Sequence, residues 1–208
     1  MLLIDELREK LQLPLPGAIA HEIMKPAGRE LIATPPPQSR KAAVMILLFD
    51  IDRKWNTLLI RRTDRGEVHG GQISFPGGSV EPKDKHIIDT ALRECEEETG
   101  VRARDIDVLG QLSGLYIHPS QFWVSPIVGY LPSLQHYKAD EQEVAEIIQV
   151  PLELLFDPRI KQERKVTAST PERERLNMPT YSLADDLVIW GATAMILSEL
   201  EHLIVPRT

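Results

Sequence analysis

The segment that most restricts the fold of this chain is Gly77 to Val101, GGSVEPKDKHIIDTALRECEEETGV, where a glycine pair and a turn lead into a helix that ends on a cluster of acids. Asp84 reads as the N-cap of that helix and Gly100 as the C′ residue that ends it. Ile87, Ile88, Ala91, Leu92 and Cys95 have the spacing of an apolar face packed on a sheet. Glu94, Glu96, Glu97 and Glu98 then put four carboxylates within five residues at the end where the macrodipole already disfavours negative charge. Glu94 and Glu98 stand i,i+4, a like-charge pairing that costs about 0.2–0.5 kcal/mol in an isolated helix, and no lysine is interleaved to relieve it. Glu94 and Glu98 fall at the edge of the apolar stripe, Glu97 one step further out, and Glu96 projects elsewhere. The residues alone leave two readings: a solvated acidic face, or three carboxylates converging on a divalent cation. Their all-oxygen donor set would suit Mg²⁺ or Mn²⁺.

The flanking sequence supplies a sheet for this helix. Ala42–Asp50 is an apolar run of strand length, Ile51–Asn56 is turn-like, and Thr57–Arg62 is a second strand, so the pair reads as a hairpin. Glycines at 66, 70, 71, 77 and 78 flank a short strand at Gln72–Phe75 and let backbone approach a ligand closely. Further strands are expected at Val108–Tyr116, Phe122–Leu131 and Glu146–Val150, with Pro126 demoting the second of these to an edge or bulged strand. A short helix at Leu152–Phe156, a late hairpin of Lys165–Ser169 with Thr180–Leu183, and a closing amphipathic helix at Gly191–Leu203 complete the pattern. Strands interleaved with two principal helices predict an α/β (α+β) three-layer sandwich, a mixed β-sheet between helices. Residues 1–40 read as an extension, with a helix near Ile4–Leu11 and the proline-rich TPPPQSR, and residues 41–208 as the main domain.

Charge and composition bound the partners. Thirty-one acids against 24 bases give a net charge of −7, which argues against nucleic acid or an anionic membrane as partner. The longest apolar run, Ala42–Phe49, is far short of the roughly 20 residues that cross a bilayer. With no signal-like N-terminus and a single cysteine, Cys95, the expected location is the cytoplasm. Cys95 lies on the apolar helix face and reads as a packed thiol rather than a nucleophile. His69, His118 and His136 lack metal-ligand spacing.

The helix segment resembles the Nudix box, the signature of hydrolases that cleave nucleoside diphosphates linked to another moiety. Arg93, Glu94, Cys95, Glu96, Glu97, Glu98, Thr99, Gly100 and Val101 follow its second half. In the first half the acid counted from Gly78 falls on Asp84, and Arg93 comes one residue later than usual. LLIRRTDRGEVHGGQISFPGG, TALRE, SPIVGYLP, EVAEIIQVPL and WGATAMILSEL are similar to the coenzyme A pyrophosphatase group of that family. Glu67 and Val68 stand before His69 where the group is usually basic.

The resemblance implies a mixed sheet between helices and metal-dependent hydrolysis of a pyrophosphate bond, with coenzyme A or its thioesters giving 4′-phosphopantetheine and adenosine 3′,5′-bisphosphate. It implies Mg²⁺ or Mn²⁺ held by Glu94 and Glu98, with Glu97 completing the shell or acting through a water. Arg93 would fix a neighbouring glutamate, and Glu143 would be a late ligand or general base. Arg62, Arg65, His69, Gly77 and Gly78 would bind substrate, with Arg62 and Arg65 the nearest cations for a 3′-phosphate. Alternatives are a pyrophosphatase for NADH, ADP-ribose or a nucleotide sugar, and a non-catalytic regulator of the same fold. A small nucleotide is the expected partner, and a homodimer stays open.

Overall fold

The computed structural model describes residues 4–64, 70–167 and 175–205. The chain starts with α1 (Ile4–Lys10) and α2 (Ala18–His21), then forms β1 (Arg40–Ile51), β2 (Lys54–Arg62), β3 (Ile73–Ser74) and β4 (Gly77–Ser79). The acidic helix is α3 (Ile87–Thr99), followed by β5 (Asp107–Gln111), β6 (Leu115–Ile117), β7 (Phe122–Leu131) and β8 (Val144–Pro151). After α4 (Leu152–Leu155) come β9 (Lys161–Thr167), β10 (Arg175–Ser182), β11 (Val188–Trp190) and α5 (Gly191–Ile204).

Side-chain alternation along β1 and β2 divides the core in two. Ala43, Met45, Leu47, Phe49, Leu58 and Ile60 pack with Ala91 and Cys95 of α3. Ile46, Leu48, Trp55 and Leu59 pack with Ile196, Leu197 and Leu200 of α5. The eight-stranded sheet between these layers is mixed, with β1 parallel to β7 and its other pairings antiparallel. A second, three-stranded antiparallel sheet runs β11–β10–β9. The sandwich expected from sequence is therefore the observed architecture, and the late hairpin grows into a small sheet of its own. No described helix is long and apolar enough to cross a membrane.

The geometry of the β1–β2 hairpin creates the site. Asp52 and Arg53 both take positive φ, 51° and 63°, so the expected longer turn contracts to two residues between Ile51 and Lys54. The strands pair only near this turn. Further along they separate, and the glycine-rich segment enters the gap, β3 pairing with β2 and β4 with β1. Met45 N–H donates to Pro76 O at 2.8 Å, fixing Gly77 and Gly78 beside the acidic end of α3.

Four further expectations are corrected. Asp84 is not the N-cap; His86 is, with Asp89 completing a capping box. Ile88 is exposed rather than part of the apolar face, which Thr90 joins instead. β7 is an interior strand despite Pro126. Leu112 N–H donates to Pro126 O, so the proline nitrogen, on the same side, faces the break between β5 and β6 and no ladder bond is lost there. Finally, α5 is buried on nearly every side, because the N-terminal segment covers it. Leu7, Leu11 and Met24 share its core, and His21 meets Glu199, both buried, at 3.0 Å.

Candidate active site

Two glycines bring a backbone amide against the acidic helix. A Cβ on Gly77 would lie 2.3 Å from Ala43 O, and one on Gly78 would lie 2.5 Å from the carboxylate carbon of Glu94. Without side chains there, β4 can lie against β1 at Gly77 and α3 can lie against β4 at Gly78. Gly77 N–H donates to Glu98 Oε2 at 2.7 Å, and Arg62 Nη1 donates to Oε1 at 3.2 Å. Glu98 is fully buried. Burial pushes its carboxyl up to about 8, with Arg62 and the Gly77 amide pulling the other way. Glu94, largely buried, is also held above the ordinary carboxylate range by burial, against the pull of Arg93.

Arg93 organises the rest. Its Nε and Nη2 grip the Asp84 carboxylate at 3.0 and 2.9 Å, and Nη2 also reaches Ser79 O. Nη1 donates to Glu94 at 2.8 Å and Glu97 at 2.9 Å. One guanidinium thus fixes both glutamates, while Asp84 fixes the guanidinium. Hydrogen bonding to Arg93 holds Asp84 well below the usual carboxylate range. Glu97 is exposed and also meets Lys83 at 3.4 Å.

Among the described residues no group of three Asp, Glu, His or Cys side chains stands ready-made to hold a metal ion. The expected convergence is modified, because Arg93 engages Glu94 and Glu97 while Arg62 and Gly77 engage Glu98. The donor chemistry nonetheless fits a hard divalent cation. Glu94 and Glu98 are oxygen donors that burial makes reluctant to carry charge alone, and each is further destabilised by Glu143. A cation would offset that repulsion.

Glu94, Glu97, Glu143, Arg62, Gly77 and Gly78 all line one open cavity of about 1220 Å³. Glu143 is exposed. Arg61 turns away to Glu146 and Asp186. Arg65 and His69 lie outside the described residues. Cys95 is buried and pushed up to about 12 by burial, as a packed thiol would be. Residues that sequence reasoning missed complete the cavity: Arg29 and Glu30 before β1, Leu176 and Met178 on β10, and Trp190 and Ile196 around α5. Asp84 was visible as an acid near Arg93, but nothing in the sequence brings residues 26–30 to the site.

The NUDIX domain family model matches residues 39–169. The uncharacterised Nudix hydrolase NudL of Yersinia pestis (strain Pestoides F) is 39% identical over 165 residues, covering 78% of each chain. NudL of Yersinia pseudotuberculosis (serotype O:1b, strain IP 31758) gives the same figures, 39% over 165 residues and 78% of each chain. The crystal structure of a MutT/nudix family protein from Enterococcus faecalis superposes with a TM-score of 0.53 at 16% identity, covering 96% of this chain and 73% of that one. That likeness concerns the fold alone.

Proposed function

This chain belongs to the Nudix hydrolases, and from that premise we propose that its substrate is coenzyme A or an acyl-coenzyme A, cleaved at the pyrophosphate to 4′-phosphopantetheine and adenosine 3′,5′-bisphosphate. The observation that carries this reading is the continuity of the cavity, acidic at Glu94, Glu97 and Glu143 and apolar at Leu176, Met178, Trp190 and Ile196. At about 1220 Å³ it is at the large end of ligand pockets, commonly roughly 300–1,000 Å³, and has room for a long two-part substrate. An apolar wall beyond the carboxylates suits a pantetheine arm.

In this reading Glu94 and Glu98 hold Mg²⁺ or Mn²⁺, with Glu97 as third donor. When bound, the cation neutralises pyrophosphate oxygens and acidifies water. Arg93 restricts the rotamers of Glu94 and Glu97, so that their oxygens are positioned before substrate arrives. Gly77 N–H and Arg62 do the same for Glu98. Glu143, exposed and lining the cavity, would take a proton from the attacking water. Gly78, with no Cβ, lets the Glu94 carboxylate lie directly against the backbone that lines the cavity.

The test is a panel of coenzyme A, acetyl-coenzyme A, NADH, ADP-ribose and nucleoside triphosphates with Mg²⁺ or Mn²⁺, the products being resolved by chromatography. Release of 4′-phosphopantetheine with the highest kcat/KM supports the reading. A clear preference for NADH or ADP-ribose overturns it.

A further inference from the structure

Among the described residues three arginines line the cavity, and they differ in one respect. Arg62 is paired with Glu98 at 3.2 Å. Arg29 and Arg40 have no carboxylate partner within ion-pair distance among the described residues, although Glu30 also lines the cavity. In a chain of net charge −7, Arg29 and Arg40 thus bring two guanidiniums without an acid to the cavity that also holds Glu94 and Glu97.

Both are anchored at the same end of the sheet. Arg40 opens β1 on the face shared by Ala42 and Val44, and its guanidinium carbon lies 4.1 Å from the ring centre of Phe122, its register partner on β7. Phe122 pairs in turn with Ile117 of β6. The carbonyl of the preceding residue, Tyr116, accepts from Arg29 Nη2 at 2.7 Å. Arg29 Nε is buried and without a partner, and among the described residues the fork makes one hydrogen bond, to Tyr116 O. The aromatic face under Arg40 and the carbonyl behind Arg29 fix where the charges sit without cancelling them.

We propose that Arg29 and Arg40 form a subsite for a phosphomonoester carried on the nucleoside half of the substrate, distal to the pyrophosphate. A phosphomonoester dianion matches two guanidiniums in charge and in fork geometry. The apolar wall of Leu176, Met178 and Trp190 is then left for the other half. The inference rests on the reading of the substrate as a nucleotide joined through pyrophosphate. It moves phosphate recognition away from Arg62, which Glu98 engages. It also places one recognising residue, Arg29, in the segment before the 39–169 family match.

Direct binding separates this inference from the substrate assignment. Calorimetry on the full chain in EDTA, with adenosine 3′,5′-bisphosphate and AMP as probes, is expected to show the bisphosphate binding about tenfold more tightly, as a charge-assisted hydrogen bond would give. Arg40→Gln and Arg29→Gln should each bring the ratio close to one, and the preference should weaken with salt. Arg40 makes no side-chain hydrogen bond in the described structure, so Arg40→Gln keeps the test open if Arg29→Gln folds poorly. Equal binding of the two probes by the native chain, or a ratio unchanged in the folded variants, overturns the subsite. Coenzyme A turnover alongside an arginine-independent ratio would sink the subsite alone. No coenzyme A turnover alongside an arginine-dependent ratio would sink only the substrate assignment.

Discussion

Arg93 and Asp84, nine positions apart, meet in a two-point contact at 3.0 and 2.9 Å, with side-chain exposures of only 12% and 3%. The same guanidinium carries Glu94 and Glu97 on its other side. Asp84 therefore controls two cavity carboxylates that it does not touch.

Asp84→Asn is expected to lower kcat more than it raises KM, because Glu94 and Glu97 lose their fixed arginine while the substrate walls stay in place. It should also cost about 1–3 kcal/mol of stability, as a largely buried charged hydrogen bond does. Steady-state kinetics with urea denaturation check both. Unaltered kcat in a destabilised protein would mean that Asp84 serves the fold alone.

Gly77→Ala and Gly78→Ala should separate fold from function. The new Cβ at 77 meets the Ala43 carbonyl oxygen at 2.3 Å, which is backbone, whereas at 78 it meets the end of the Glu94 side chain. Gly77→Ala should destabilise by about 1–3 kcal/mol, the usual range for overpacking. Gly78→Ala should keep most of its stability and lose about a hundredfold in activity, a displacement effect on catalytic positioning. Melting curves and kcat together distinguish the two.

Glu98→Gln and Glu94→Gln should each abolish most activity while preserving the fold, since side-chain size is kept and the metal-binding carboxylate is lost. Added Mn²⁺ should raise the melting temperature of the native protein and do so much less for either variant. Glu96 faces away and accepts from Ala103 N–H at 3.0 Å, so Glu96→Gln should be nearly silent. Full activity of Glu98→Gln would remove it as a metal ligand.

Acid should loosen the N-terminal segment. Burial pushes the Glu199 carboxyl up, but hydrogen bonds from His21, Ser113 and Gly17 outweigh it, so the folded value lies below 4.5. A depressed carboxylate stabilises the fold fully above its unfolded value, and that contribution disappears as pH falls through the folded one. Glu199→Gln should therefore be less stable than the native chain near neutrality, by about 1–3 kcal/mol, with the gap closing below pH 4.5. Denaturation at several pH values checks this, and a gap independent of pH would assign the loss to packing.

The elements and the chemistry they carry are legible in local sequence. The β1–β2 hairpin, α3 with its Gly100 stop, β7, β8 and α5 follow from local periodicity and turn residues, and the Glu94–Glu98 run is a sequence-local cluster whose electrostatic cost can be counted on one helix. Tertiary structure alone decided which partner each acid meets. Arg93 reaches Asp84 because the turn before α3 folds back, and Glu98 reaches Gly77 and Arg62 because β1 and β2 splay and admit the glycine segment. The path of residues 26–30 to the cavity rim depends on α1 and α2 packing over α5. Contacts of that kind are set by volume and burial across the whole chain, which no local pattern encodes.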